Sequence, residues 1–341
     1  MKCTVLGAGA WGTTFGQVMA DAGNDVTMWA IEPEIVEGIR DRHHNAVRLP
    51  SVAKLPDNMT ATGDRAQAVK DADIIVVAIA AQFARVALAE FKDLIPDTAV
   101  VVSLMKGIER NTKKRMDEVV REALDLPAER FAAVSGPNLS KEIADRQPAA
   151  TVVACENLDN ARKVAFACTT SYFKAFITSD VIGLEMCGSL KNVVALAVGM
   201  ARGAGYGENT AAMIETRGLA ELTALGKAAG ADPKTFAGLA GVGDLTATCG
   251  SPLSRNYTFG ANLGKGLSVE EATKVSNGVG GRRRARRADS ARLRDEPRAE
   301  RRHILPADDL RTIRHRDHRG VGCINPPPVS LRSTAPRQRR R

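Results

Sequence analysis

Short, mainly apolar runs alternate with amphipathic stretches through the first half of this chain. Runs at 2–6, 25–29, 74–79, 98–103, 131–134 and 149–154 are four to six residues long. Such continuous runs predict strands buried on both faces, as in a parallel sheet, rather than half-exposed ones. Between them, 13–22, 82–91 and 113–124 carry apolar residues at helical spacing, with Phe15, Val18 and Met19 on one face of the first. This alternation predicts an α/β fold, a doubly wound and mainly parallel dinucleotide-binding sheet. From about residue 178 the period changes. Segments 181–202 and 207–229 keep apolar residues at three- and four-residue steps, which predicts a mainly helical domain after the sheet. The expected division is 1–188 for the sheet domain and 189–279 for the helical one.

A third regime opens at Asn277, where Gly278-Val279-Gly280-Gly281 leads into Arg282-Arg283-Arg284-Ala285-Arg286-Arg287. Residues 276–341 hold nineteen arginines, no lysine and seven acids, a net +12 against +9 for the whole chain. The remainder, at −3, has the balance of an ordinary slightly acidic enzyme. The basic character therefore belongs to the tail. With no aromatic beyond Phe259, residues 280–341 cannot bury enough apolar surface to offset the entropy of ordering, and disorder is expected.

Composition narrows the class further. The longest apolar stretch, 74–81, is too short to span a bilayer, and the N-terminus lacks the charged and apolar regions of a secretory leader. The six cysteines are scattered without metal-ligand spacing. They read as reduced thiols, so a cytoplasmic protein without a membrane span or metal site is expected.

The richest motif is Gly7-Ala8-Gly9-Ala10-Trp11-Gly12, set between the first strand and the first helix. Gly7 permits a tight turn, Gly9 lets backbone approach a pyrophosphate, and Gly12 lets helix and strand pack closely. The helix N-terminus offers free N–H groups to the anion. Glu32, twenty residues beyond Gly12, stands where such folds place a carboxylate against the adenosine ribose, which favours NAD over NADP. With Pro33 behind it, Glu32 also suits a helix start. Arg40 and Arg42 lie close enough in sequence to serve a 2′-phosphate instead.

Lys106 follows a strand at the crevice where open α/β sheets bind ligands, although a solvated loop lysine has the same local sequence. Ser135-Gly136-Pro137-Asn138 is a turn by composition and would bring backbone amides to the same rim. Lys191 lies among Leu190, Val193, Val194 and Leu196. It is either at a helix edge with its head in water or in a cleft, where burial lowers its pKa into a useful acid–base range. Gly241-Val242-Gly243-Asp244-Leu245 and Ser254-Arg255-Asn256 complete the set. Arginine beside Ser and Asn suits a phosphate, and a surface ion pair is the competing use of Arg255.

In this order the segments resemble bacterial NAD(P)-dependent glycerol-3-phosphate dehydrogenases. The likeness covers about residues 1–279 and includes Asn45 with Leu49-Pro50, Lys106-Gly107-Ile108-Glu109, Leu190-Lys191-Asn192, Gly207-Glu208-Asn209 and Thr216-Arg217-Gly218. The resemblance implies reduction of dihydroxyacetone phosphate, a phosphorylated triose, to sn-glycerol 3-phosphate for phospholipid synthesis, by NADH or NADPH; a homodimer is the expected partner state, and nucleic acid is not an expected partner. It makes Lys191 the catalytic acid and base. Lys106, Gly136, Asn138, Asp244, Ser254, Arg255 and Asn256 become substrate contacts. Ala10, Trp11, Lys106, Ser140, Arg255 and Val279, the last in a late loop, become cofactor contacts. Asn138 stands where many members have Ser or Thr, and Ile31 and Glu32 replace basic residues found in several. A β-hydroxyacid or 6-phosphogluconate-type dehydrogenase shares the plan, and a nucleotide-binding module without turnover shares the first domain.

Beyond Val279 the likeness ends. Gly281 takes the place of a glutamate, and the amphipathic helices expected of the family are replaced by the arginine-rich tail. That composition is what an out-of-frame read of a GC-rich gene yields, so a shift of frame near Val279–Gly280 is expected, with apolar surface on residues 181–230 left uncovered. The rival reading is an arginine-rich arm for nucleic acid or anionic lipid.

Overall fold

The computed structural model describes residues 1–280; the tail from 281 lies outside the described residues. The sheet region runs β1 (Lys2–Leu6), α1 (Ala10–Asp21), β2 (Asp25–Trp29), α2 (Pro33–Arg42), β3 (Met59–Thr62), α3 (Arg65–Val69), β4 (Ile74–Val77), α4 (Ala84–Ala89), β5 (Val100–Ser103), α5 (Met116–Leu124), β6 (Phe131–Ser135), α6 (Ser140–Ala144), β7 (Ala149–Ala154), α7 (Leu158–Cys168) and β8 (Phe173–Thr178). Helices follow: α8 (Val181–Gly203), α9 (Glu208–Ala228), α10 (Pro233–Phe236), α11 (Asp244–Gly250), α12 (Arg255–Gly264) and α13 (Val269–Gly280).

The eight strands form one sheet in the order β3-β2-β1-β4-β5-β6-β7-β8. All pairs are parallel except β6 with β7, where Val134 faces Val153; β8 then runs parallel to β7. The order reverses beside β1, which lies between β2 and β4. Alternation along the strands feeds two cores. Val5, Ile74 and Val76 pack with Phe15, Met19 and Phe173 on one face. Leu6, Ile75 and Val77 pack with Phe91, Val120 and Leu184 on the other. Burial on both faces is why these strands read as unbroken apolar runs.

β3 and β8 were not expected from the sequence. They are the two edges of the sheet. Met59-Thr60-Ala61-Thr62 and Phe173-Lys174-Ala175-Phe176-Ile177-Thr178 are partly exposed, so neither carries a continuous apolar signal.

α8 is long and apolar enough, by length and composition, to cross a membrane, yet most of it is buried inside the fold. It packs on α12 through glycines. A Cβ added at Gly199 would sit 2.2 Å from the Tyr257 carbonyl oxygen, and one at Gly260 would sit 2.2 Å from that of Leu196. Gly203 and Gly264 repeat the contact one turn on, at 2.1 Å from the oxygens of Ala261 and Met200. Two small-xxx-small faces thus let the backbones touch. Residue 188 lies within α8, which is separated from the last strand by two residues.

The five described cysteines are buried and free. Burial pushes Cys3, Cys168, Cys187 and Cys249 up to about 12, so these thiols are inert at neutral pH. No cluster suited to a metal occurs among the described residues.

Candidate active site

The carboxyl ends of β1, β4, β5 and β6 form a continuous rim. Gly7 has φ +111°, and a Cβ there would meet the Ala78 carbonyl oxygen at 2.7 Å. Gly12 lies so close to the turn that a Cβ would be 2.2 Å from the Gly7 oxygen. Gly9 differs: its missing side chain leaves open space, with nothing within 4 Å. It is also the N-cap of α1, with no side-chain cap and no acid in the first turn. Helix amides there are free for an anion, so the turn fits a dinucleotide pyrophosphate. Ala10 and Trp11 begin the helix, Trp11 packing edge-on against Phe15 with centroids 5.6 Å apart.

Two further segments dock on this turn. Asn45 donates through Nδ2 to the Ala8 carbonyl at 3.1 Å and to Thr13 Oγ1 at 2.8 Å. The Ser140 carbonyl, at the start of α6, accepts from Thr14 Oγ1 at 3.3 Å. Glu32 is the N-cap of α2, as a helix-start residue should be. Its carboxylate pairs with Arg48 at 2.8 Å. Arg40 instead pairs with its neighbour Asp41. Arg42, ten residues along the helix, is about 15 Å from Glu32 at 1.5 Å per residue. The arginine that reaches Glu32 is thus Arg48, which the sequence reading missed.

The loop after β4 joins this turn to the next. A Cβ on Gly107 would come within 3.2 Å of Ala81 Cβ, and Gln82 Nε2 donates to the Ile108 carbonyl at 2.8 Å. Lys106 stands in that second loop. Its Nζ donates to Asp244 Oδ2 at 2.6 Å and to the Gly136 carbonyl at 3.3 Å. Lys191, in the middle of α8, donates to the other oxygen of the same carboxylate, Asp244 Oδ1, and to Thr248 Oγ1 at 2.6 Å. The Lys191 and Asp244 side chains are only 8% and 3% exposed. Burial and the neighbouring Lys106 charge lower the Lys191 pKa to about 7, with Asp244 opposing them. Two cations share one carboxylate, so the cluster keeps net positive charge when both lysines are protonated. It is suited to stabilising an oxyanion and giving it a proton.

Local sequence explains how Asp244 reaches the lysines. Leu239–Gly243 is a π-type turn, a form common at functional sites. A Cβ on Gly241 would lie 1.9 Å from the Phe236 carbonyl oxygen, so glycine is needed there. Asp244 follows as the first residue of α11, and Thr248 lies one turn on. Thr248 Oγ1 donates to the Asp244 carbonyl at 2.6 Å, which turns a lone pair toward Lys191. The four-residue spacing from Asp244 was the available signal for Thr248, and the sequence reading did not use it.

The remaining expected residues are placed less centrally. Asn138 donates to Thr151 Oγ1 at 2.9 Å, and its buried Oδ1 has no partner among the described residues. Ser254 caps α12 by accepting the Tyr257 N–H at 3.3 Å. Arg255 and Asn256 form the first turn of α12, and no hydrogen bond among the described residues ties them to either lysine. Val279 falls in the last turn of α13 rather than in a loop. This is a correction to the sequence reading: Ser268 and Glu271 cap the start of that helix reciprocally, and it runs on to Gly280.

A dinucleotide-binding sheet whose rim carries two ammonium groups on one buried carboxylate defines a nicotinamide-dependent oxidoreductase of carbonyl or alcohol substrates. Family models described as NAD-dependent glycerol-3-phosphate dehydrogenase N-terminus and C-terminus match residues 2–161 and 180–292. A glycerol-3-phosphate dehydrogenase [NAD(P)+] of Bifidobacterium longum subsp. infantis is 88% identical over 276 residues, 81% of this chain and 83% of that protein. One from Corynebacterium kroppenstedtii is 54% identical over 80% and 82% of the two chains. The crystal structure of glycerol-3-phosphate dehydrogenase from Coxiella burnetii superposes with a TM-score of 0.75 at 31% identity, covering 80% of this chain and 83% of that one. The chain belongs to the NAD-dependent glycerol-3-phosphate dehydrogenase family.

Proposed function

We propose that this chain reduces dihydroxyacetone phosphate to sn-glycerol 3-phosphate with NADH or NADPH, the product serving as a glycerophospholipid backbone. The observation that carries this reading is the meeting of Lys106 and Lys191 on the Asp244 carboxylate. The nicotinamide supplies hydride to the carbonyl carbon when bound. Lys191, with a pKa near 7, gives its proton to the carbonyl oxygen as negative charge develops there. Lys106 adds a second positive charge on the same side. Asp244 and Thr248 hold the Lys191 ammonium in place. Gly136 and Asn138 line the substrate side, with Ser254 and Asn256. Arg255, at a helix start, takes the phosphate, whose binding energy orients the reacting carbon. The glycine turn, with Ser140 and Glu32, holds the cofactor, and Val279 belongs to the same set. In this reading residues 1–188 carry the cofactor and 189–279 close the substrate side.

The test is NADH oxidation with dihydroxyacetone phosphate. Lys191→Met is expected to lower kcat about 10²–10⁴-fold, the usual share of a positioned acid, with NADH binding by fluorescence within threefold of wild type. In the reducing direction kcat falls as pH rises through about 7, because deprotonated Lys191 has no proton to give. In the oxidising direction the same limb rises, since neutral Lys191 is the base. Full activity of Lys191→Met sinks this assignment, and cofactor binding without turnover in the wild type leaves only a nucleotide-binding module.

A further inference from the structure

A buried carboxyl cluster, centred on Glu185 six residues before Lys191 on the same helix, takes no part in the chemistry above. Glu185 is 7% exposed. Its Oε2 accepts the backbone N–H of Asp117 at 3.1 Å, in the first turn of α5, where amides have no intrahelical partner. Arg115, the residue preceding α5, donates to Asp117 Oδ2 at 3.2 Å and lies 4.0 Å from Glu185 Oε2. The charged or titratable groups facing Glu185 are therefore Asp117 and Arg115, both from the start of α5. Burial and the adjacent Asp117 raise the Glu185 pKa well above the ordinary carboxyl value.

The other end of this contact reaches the active site. Arg115 pairs through its backbone with Ile108, two residues beyond Lys106. The loop 106–115 is therefore closed at the point where Glu185 grips it. Gly188, three residues on from Glu185, faces the same loop. A Cβ there would lie 2.9 Å from Ser135 Oγ and 3.4 Å from Lys106 Cγ. Gly188 lies three residues from Glu185 and three from Lys191, so it adjoins each of them on α8 and links the two along the helix.

We propose that Glu185 is a positioning residue: by capping α5 it fixes α8 against the Lys106 loop and sets the gap between the Lys106 and Lys191 ammonium groups. The proposal rests on the reading of Lys191 as proton donor. That gap tunes the reaction, because the nearby Lys106 charge is one of the causes holding Lys191 near neutrality. A wider gap leaves Lys191 more basic and slower to give up its proton.

The test compares Glu185→Ala and Glu185→Gln in the full chain. Glutamine keeps a carbonyl oxygen for the Asp117 N–H; alanine removes the cap. Glu185→Ala is expected to lower kcat tenfold or more, with the KM for NADH within threefold. The pH limb of kcat should move upward by at least half a unit. Glu185→Gln is expected to restore kcat to within threefold and return the limb to its wild-type position. A merely structural glutamate would lower the melting temperature of Glu185→Ala but leave kcat per folded molecule and the pH limb unchanged, and that result overturns the proposal. Should Glu185→Ala fail to fold, Glu185→Gln decides together with Asp117→Pro, which deletes the capped N–H at a position early in the helix. The same upward limb in Asp117→Pro supports the clamp, and an unmoved limb overturns it. Lys191→Met in parallel separates the two ideas. If it stays active, the proton-donor reading fails; if it is dead while Glu185→Ala matches wild type, only the clamp fails.

Discussion

Lys191 shows what a sequence gives and withholds at the level of one side chain. Its apolar neighbours marked it as either a helix-edge lysine or a cleft lysine, and only the docking of α11 decides between them, by bringing Asp244 and Thr248 to it. Those partners lie 53 and 57 positions away, so no local pattern encodes the contact. Glu32 is similar. Its spacing from the glycine turn was legible, but its partner Arg48 comes from a loop held by Asn45. An arginine on Glu32 offsets the repulsion that a lone carboxylate would exert on a 2′-phosphate. Loss of one charge-assisted hydrogen bond costs about 1.5–3 kcal/mol. Arg48→Ala should therefore raise the NADPH dissociation constant tenfold or more and leave that for NADH within twofold, by fluorescence titration. Equal effects on both cofactors would remove Arg48 from the ribose end.

Among the elements, the central strands and the two long helices were legible because their apolar patterns are continuous or strictly periodic. The edge strands β3 and β8 were not, because half their residues face water. The glycine seam of α8 and α12 was overlooked for a different reason: Gly199 and Gly203 sit in an apolar helix where glycine has no local role, and their use appears only when α12 arrives. Adding a methyl group there forces the backbones apart. Overpacking costs typically 1–3 kcal/mol, occasionally more, far above the helix propensity gained. Gly260→Ala should lower the melting temperature by about 5 °C, at roughly 2–4 °C per kcal/mol, by circular dichroism. An unchanged melting temperature would mean that the seam is loose in solution.

For the molecule as a whole, the helical half is the less completely covered. Of the twenty-one residues of α9 only Ala211, Leu222 and Gly226 are buried, while Met213 and Leu225 are 60% and 56% exposed. The match to the Bifidobacterium relative spans 276 residues, 81% of this chain, and the C-terminal family model reaches residue 292, a little way into the arginine-rich segment. Replacing everything after residue 276 with the corresponding segment of that relative should raise the melting temperature by about 5 °C or more and suppress binding of a hydrophobic dye. Equal stability of the two chains would show that the arginine-rich segment serves this fold as well. The reversal of β7 leaves a further mark on the molecule. β7 and β8 run away from the catalytic rim, so the polypeptide must climb back to it before it can deliver a lysine. The first turns of α8 make that climb, and they act as a ruler: each residue advances Lys191 by 1.5 Å and swings it by about 100°. One residue inserted or deleted between Val181 and Gly188 would aim the amine away from Asp244 and swing Gly199 and Gly203 off the α12 seam by the same angle, so the length of this short stretch is under tight constraint.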